Sequence, residues 1–106
     1  MTVTPDQLGQ MALTDTNQTV YTSPVGVRTT VRAIDVCNTT APTLRLLTCY
    51  LVPPSGSPSD ANALAKDLEV QRNVSKGILT LPPGWSIVAR GDDVGLTITI
   101  SGAKVS

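Results

Sequence analysis

The chain has 106 residues, eight basic and eight acidic, with no histidine, and is 41% hydrophobic but only 3% aromatic. That length suits one domain, and zero net charge excludes the clustered Lys and Arg excess that nucleic-acid phosphates select. Without histidine the usual general base, the Ser-His-Asp and Cys-His arrangements and the commonest metal ligand are excluded as well.

Phe is absent and the aromatics are Tyr21, Tyr50 and Trp85, so a core must be built from Val, Ile, Leu and Ala. The opening residues, Met1 to Asp6, have neither the basic n-region nor the apolar h-region of a signal peptide. No apolar run reaches the roughly 18 residues of a membrane span. A soluble protein made in the cytosol is expected, with no nucleic-acid and no membrane partner. Neutrality gives little colloidal repulsion, which suits a protein that works assembled.

In chain order, residues 1–7 read as a flexible arm without periodicity, and residues 8–106 as the folded domain. Leu8 to Leu13 reads as a short strand, Thr14 to Asn17 as a turn, and Gln18 to Thr22 as a strand closed by Ser23-Pro24. Arg28 to Asn38 and Leu44 to Val52 are rich in β-branched and aliphatic residues and read as a central hairpin turning through Thr39 to Thr43. Within it, Ile34 and Val36 share one face while Val31 and Ala33 take the other. Leu47, Cys49 and Leu51 point one way, and Leu46, Thr48 and Tyr50 the opposite way. In that hairpin Cys49 falls opposite Arg32, too far from Cys37 for the ~7 Å Cα separation of a disulfide. Two free thiols are expected, with an intermolecular bond as the alternative.

Pro53 to Asp60 is the most loop-like segment, and its prolines stop the preceding strand. Ala61 to Asn73 is ambiguous. Asp60 can cap a helix of good helix formers, yet Leu64, Leu68 and Val70 also suit an extended edge, and the favoured reading is extended with one helical turn near Asn62 to Lys66. Gly77 to Leu81 reads as a strand, and Pro82-Pro83-Gly84 as a tight turn with Pro at its second position and Gly after it. Trp85 to Arg90 alternates, with Ile87 and Ala89 on one face. Gly91 to Gly95 turns the chain, and Leu96 to Ser101 is the cleanest alternation, with Leu96, Ile98 and Ile100 facing in and Gly102 ending the strand. About seven or eight short strands with turn signals between them read as all-β, a single antiparallel β-sandwich of jelly-roll or Ig-like type.

Chemistry-bearing signals are few. There is no Gly-rich phosphate loop, no nucleophile elbow and no Cys-x-x-Cys pair, so no enzyme, cofactor or metal is expected. Asp15, Asp60, Asp92 and Asp93 read as turn residues rather than calcium ligands. Arg90-Gly91-Asp92 spells an adhesion tripeptide at an expected hairpin tip, where Gly-Asp is also ordinary turn chemistry. Asn17, Asn38 and Asn73 start glycosylation triplets and, without a secretion signal, read as plain turn residues. Trp85 suits a core end or a protein contact in preference to a sugar platform.

The runs Val20 to Val31, Ile34 to Thr40, Tyr50 to Gly56, Asp60-Ala-Asn-Ala-Leu64, Leu81-Pro-Pro-Gly-Trp-Ser-Ile87 and Thr97-Ile-Thr-Ile-Ser-Gly102 resemble a family of small β-sandwich virion structural proteins of tailed bacteriophages. The likeness covers about residues 12–102, and its motifs are turn and strand signatures. At the late turn the family pattern reads Leu-x-Pro-Gly-Asp-Ser-Ile, from which Trp85 departs. The resemblance implies a short N-terminal arm before a sandwich and a capsid decoration or cement protein, found in the virion and made in the host bacterial cytoplasm. It implies a homotrimer whose partner is the major capsid protein or another virion protein. The candidate contact residues are Thr2, Val3, Thr4 and Pro5 of the arm, with Trp85 and Tyr50. The competing reading is a tail or fibre module binding a host glycan or a virion partner, which needs the aromatics and loop acids gathered at one exposed concave patch.

Overall fold

The computed structural model of the chain describes the backbone of residues 3–77 and 79–105, and the side chains of 8–77 and 79–104. Among the described residues nine strands form: β1 (Val3–Leu13), β2 (Gln18–Thr22), β3 (Arg28–Asn38), β4 (Arg45–Val52), β5 (Ala63–Val70), β6 (Asn73–Lys76), β7 (Leu79–Leu81), β8 (Ser86–Gly91) and β9 (Leu96–Val105). They make two antiparallel sheets, one ordered β1-β9-β3-β6 with β7 also on β3, the other β2-β8-β4-β5. The expected β-sandwich is the fold.

Alternation builds the interior. Leu96, Ile98 and Ile100 of β9 are fully buried, as are Ile87 and Ala89 of β8, while Leu47 and Cys49 of β4 close the core from the second sheet. In β3, Thr29 and Val31 face in, Arg32 bulges out, and Ile34 and Val36 face in again. The expectation that Val31 opposes Ile34 fails because that one extra residue resets the pleat. On the outer side of the second sheet, Tyr50, Val52 and Val88 make a small cluster of their own, each 6% exposed, with Ala63 against it.

Two expectations of how the strands pair are corrected. β3 and β4 are not a hairpin, since they belong to different sheets, and residues 39–44 cross from one layer to the other. The chain turns over rather than back because Asn38, 5% exposed, bonds sideways into other segments. Its Nδ2 donates to the carbonyls of Thr43 (2.8 Å), Val70 (2.8 Å) and Gln71 (3.2 Å), and its Oδ1 accepts from Thr40 N (2.9 Å) and Thr40 Oγ1 (2.8 Å). The thiols are free as expected, but the register given for that outcome does not exist: Cys37 is exposed on one sheet, Cys49 buried beneath the other.

The second correction concerns the arm. From Val3 onward the backbone is the edge strand β1, paired with β9 from Val3↔Val105 through Leu13↔Leu96. Met1, Thr2 and Ile78 lie outside the described residues. β9 correspondingly runs past Gly102 to Val105.

Elsewhere the turns follow their residues. Trp85 N donates to Pro82 O at 3.2 Å and Gly84 has φ +84°, the left-handed backbone that a Pro-Gly turn requires. The ambiguous segment is a single 3₁₀ turn, Asp60–Asn62, followed by the extended β5. Arg90-Gly91-Asp92 is not a presented tip. Gly91 is buried at the end of β8, its N–H bonded to Thr14 O (2.7 Å), and Asp92 is tied to Leu46 through Asp92 N–Leu46 O and Leu46 N–Asp92 Oδ1, both 3.1 Å.

Candidate surface groove on the five-stranded sheet

On β3, Val36 faces the core, so Asp35 and Cys37 face outward. On β9, Ile98 and Ile100 face the core, so Thr97 and Thr99 face outward. The register then sets outward residues beside one another across four strands. Gln10, Thr99, Asp35 and Ser75 form one row, and Thr97, Cys37 and Asn73 the next. Gln10 Nε2 donates to Thr99 Oγ1 at 3.3 Å, and Ser75 Oγ donates to Asp35 Oδ1 at 2.8 Å. These residues, with Val36, Thr39 and Val74, line an open groove of 620 Å³. Bulges at Leu8 in β1 and at Arg32 in β3 strengthen the local twist of this sheet.

The lining sets hydroxyls, amides and a thiol among the apolar surface of Val36 and Val74, and Asp35 is its one charged group among the described residues. Such a surface offers hydrogen bonds along an extended ligand and one point of charge attraction. Among the described residues no three His, Cys, Asp or Glu side chains come together as a metal site would need.

The two thiols differ in environment. Cys37 opens into the groove, whereas burial pushes the Cys49 thiol up, against the smaller opposing pulls of Lys76 and of a backbone hydrogen bond at Ala65. One thiol per folded chain should therefore react with Ellman's reagent at pH 8, and the second only after unfolding in urea. Two equal fast reactions would mean that the β4 layer opens readily. Because the folded state holds the Cys49 proton more tightly, its contribution to stability is intact below the unfolded thiol value near ~8.5 and is lost as pH rises through the higher folded one.

Of the contact residues read from sequence, Thr2 is outside the described residues, and Val3, Thr4 and Pro5 lie in β1 opposite Val105, Lys104 and Ala103. Trp85 is half-buried against the main core, its carbonyl accepting Ser23 N at 2.8 Å. Tyr50 sits on the outer side of the other sheet and, at 6% exposed, has little surface to offer. These positions do not converge. Nor do the aromatics make an exposed patch, since Tyr21 also packs on the core and its hydroxyl bonds Thr29 Oγ1 at 2.9 Å.

Residues that the sequence does not offer as contacts, Asp35, Cys37, Asn73, Ser75, Thr97 and Thr99, are the ones the fold gathers. Alternation in β3 and β9 marks them as outward-facing; only pairing shows that they are neighbours. Smaller features lie at the strand ends. A 300 Å³ depression is lined by Pro42, Leu44, Gln71 and Arg72, and Val25 and Val94 are 94% and 59% exposed at turn tips. The chain matches no protein-family model and no curated protein sequence.

Proposed function

We propose that this chain is a phage virion structural protein that decorates or cements the capsid shell through protein–protein contacts. The observation that carries the reading is the groove: an open surface across four strands of the sandwich that mixes hydroxyls, amides and a thiol with apolar area, suited to an extended protein segment. The glycan reading needs an aromatic platform, and Tyr21, Tyr50 and Trp85 are all spent on the fold's own packing. A shell repeats its sites many times, so a modest contact area per copy is enough when copies are linked in an oligomer. A trimer is the favoured oligomer.

The test is the mass of the purified protein in solution, followed by mixing with capsids that lack it. A trimer that saturates the shell at fixed stoichiometry is expected. A monomer that ignores capsids would overturn the reading. Deleting residues 1–7 is a poor probe of the contact, because it also removes the strand paired with Ser101 to Val105. Surface substitutions test it more cleanly.

A further inference from the structure

Resting on that reading, we infer that the groove across β1, β9, β3 and β6 is the docking site, and that its occupant is an extended segment of a partner protein carrying a basic side chain placed over Asp35. Charge sets this choice. Asp35 is the one acidic or basic residue among the described residues that line the groove, so they give it a negative formal charge that attracts a guanidinium or ammonium group. Ser75 holds Oδ1 of that carboxylate at 2.8 Å, which fixes its orientation on the sheet without neutralising it.

The remaining lining suits an extended backbone. Thr97 and Thr99 of β9 and Asn73 and Ser75 of β6 flank β3 on its two sides, so hydroxyl and amide groups stand one strand spacing, ~4.8 Å, to either side of Asp35 and Cys37. A segment crossing them can exchange hydrogen bonds with side chains rather than with a sheet edge. The edges themselves are poorly suited to adding a strand. β5 carries Lys66, Asp67 and Glu69 with Asp67 at φ +50°, β6 and β7 are broken at Gly77, β1 contains Pro5 and a bulge, and β2 is five residues long with a bulge at Val20. A face contact is therefore the favoured mode, and on this sheet the concave part of the face is the groove.

Cys37 supplies a built-in reporter, since it lines the same groove and is the exposed thiol. The probe is an acetylated, amidated pentapeptide with a central arginine flanked by valine and threonine, compared with its central-glutamate counterpart, titrated into ¹⁵N-labelled protein. The arginine peptide should bind with a Kd of about 1 mM, shift the amides of Asp35, Cys37, Thr97 and Thr99, and slow alkylation of Cys37. Asp35→Asn should weaken it about three- to tenfold, and Asp35→Lys should make the glutamate peptide the better ligand. Absence of shifts in the groove at about 10 mM peptide, or equal binding of the two peptides, would overturn the inference. If that happens while the protein still saturates capsids, the groove is wrong and the virion reading stands. If the arginine peptide binds as described but capsids are ignored, the groove stands and the virion reading falls.

Discussion

Asn38→Ala is expected to cost about 2–4 kcal/mol of stability and to lower the melting temperature by roughly 10–20 °C. The residue is 5% exposed, and its side chain ties together three segments that share no ladder: the layer crossover at Thr40 and Thr43, the end of β5 at Val70, and the turn at Gln71. Truncation strands the Val70 carbonyl inside and removes the only side-chain tether, among the described residues, between the crossover and β5. The neighbouring bonds from Thr39 N and Thr39 Oγ1 to Gly95 O, 2.8 and 3.0 Å, hold the crossover to another loop and soften the loss without replacing it. Asn38→Asp separates donor from acceptor. A carboxylate there can still accept from Thr40, but it faces three carbonyls, which raises its folded pKa above the unfolded value. Stability of that variant should be greatest at low pH, where the acid is protonated and can donate, and fall as pH rises through the folded pKa. Urea titrations of both variants from pH 3 to 8 check this. A cost below about 1 kcal/mol for the alanine would mean that water satisfies those carbonyls and that the crossover is held by packing instead.

The strands were legible because alternation is a local property. Leu96, Ile98 and Ile100 against Thr97, Thr99 and Ser101 leave one sensible conformation, and Pro83-Gly84 specifies its turn without help from the rest of the chain. Pairing is not local. Two consecutive strands of similar length joined by five residues look like a hairpin, and nothing in Thr39 to Thr43 says whether the chain turns within a sheet or crosses between layers. That choice is made by where Asn38 finds partners, some thirty residues further along. The bulge at Arg32 was equally hidden, because it becomes necessary only when β3 must match β9 along its length.

The candidate site shows the same division. That Asp35 and Cys37 face outward follows from Val36 facing inward. That they stand beside Thr99, Thr97, Ser75 and Asn73 depends on β9 and β6 flanking β3, strands some forty to sixty residues away in the chain. Aromatic residues drew attention instead because rings are the commonest anchors of interfaces. In a chain without Phe the three rings are taken up in packing, and the fold places Trp85 and Tyr21 against the core and Tyr50 in a separate cluster with Val52 and Val88.

Gly102→Ala is expected to be as damaging as any single substitution in the chain, about 3 kcal/mol or more out of a total of about 5–15. Read in sequence, Gly102 ends a strand. In the fold it lies inside β9 and pairs on both sides, with Asp6 of β1 and with Val31 of β3. A Cβ at this position would overlap the Thr30 carbonyl oxygen and stand 3.0 Å from both Thr30 C and Val31 Cα. Those are backbone atoms, so no side chain can swing aside, and β9 and β3 must separate where β3 enters the core. The misread arm and the misread end of β9 are therefore one error. Taking Gly102 as a stop hides residues 103–105, which are what Val3 to Pro5 pair with. Gly77→Ala is the control, since a Cβ there meets nothing within 4 Å, and it should change stability by no more than about 0.5 kcal/mol. Hydrogen exchange distinguishes the mechanism from general loosening. In Gly102→Ala, protection should fall first at Val31 and along Ala103 to Val105, while Ile98 and Ile100, buried between two layers, keep theirs until global unfolding. Uniform loss across β9 would show that the close approach at Gly102 is required for the whole sandwich, not only for the junction of β1, β9 and β3.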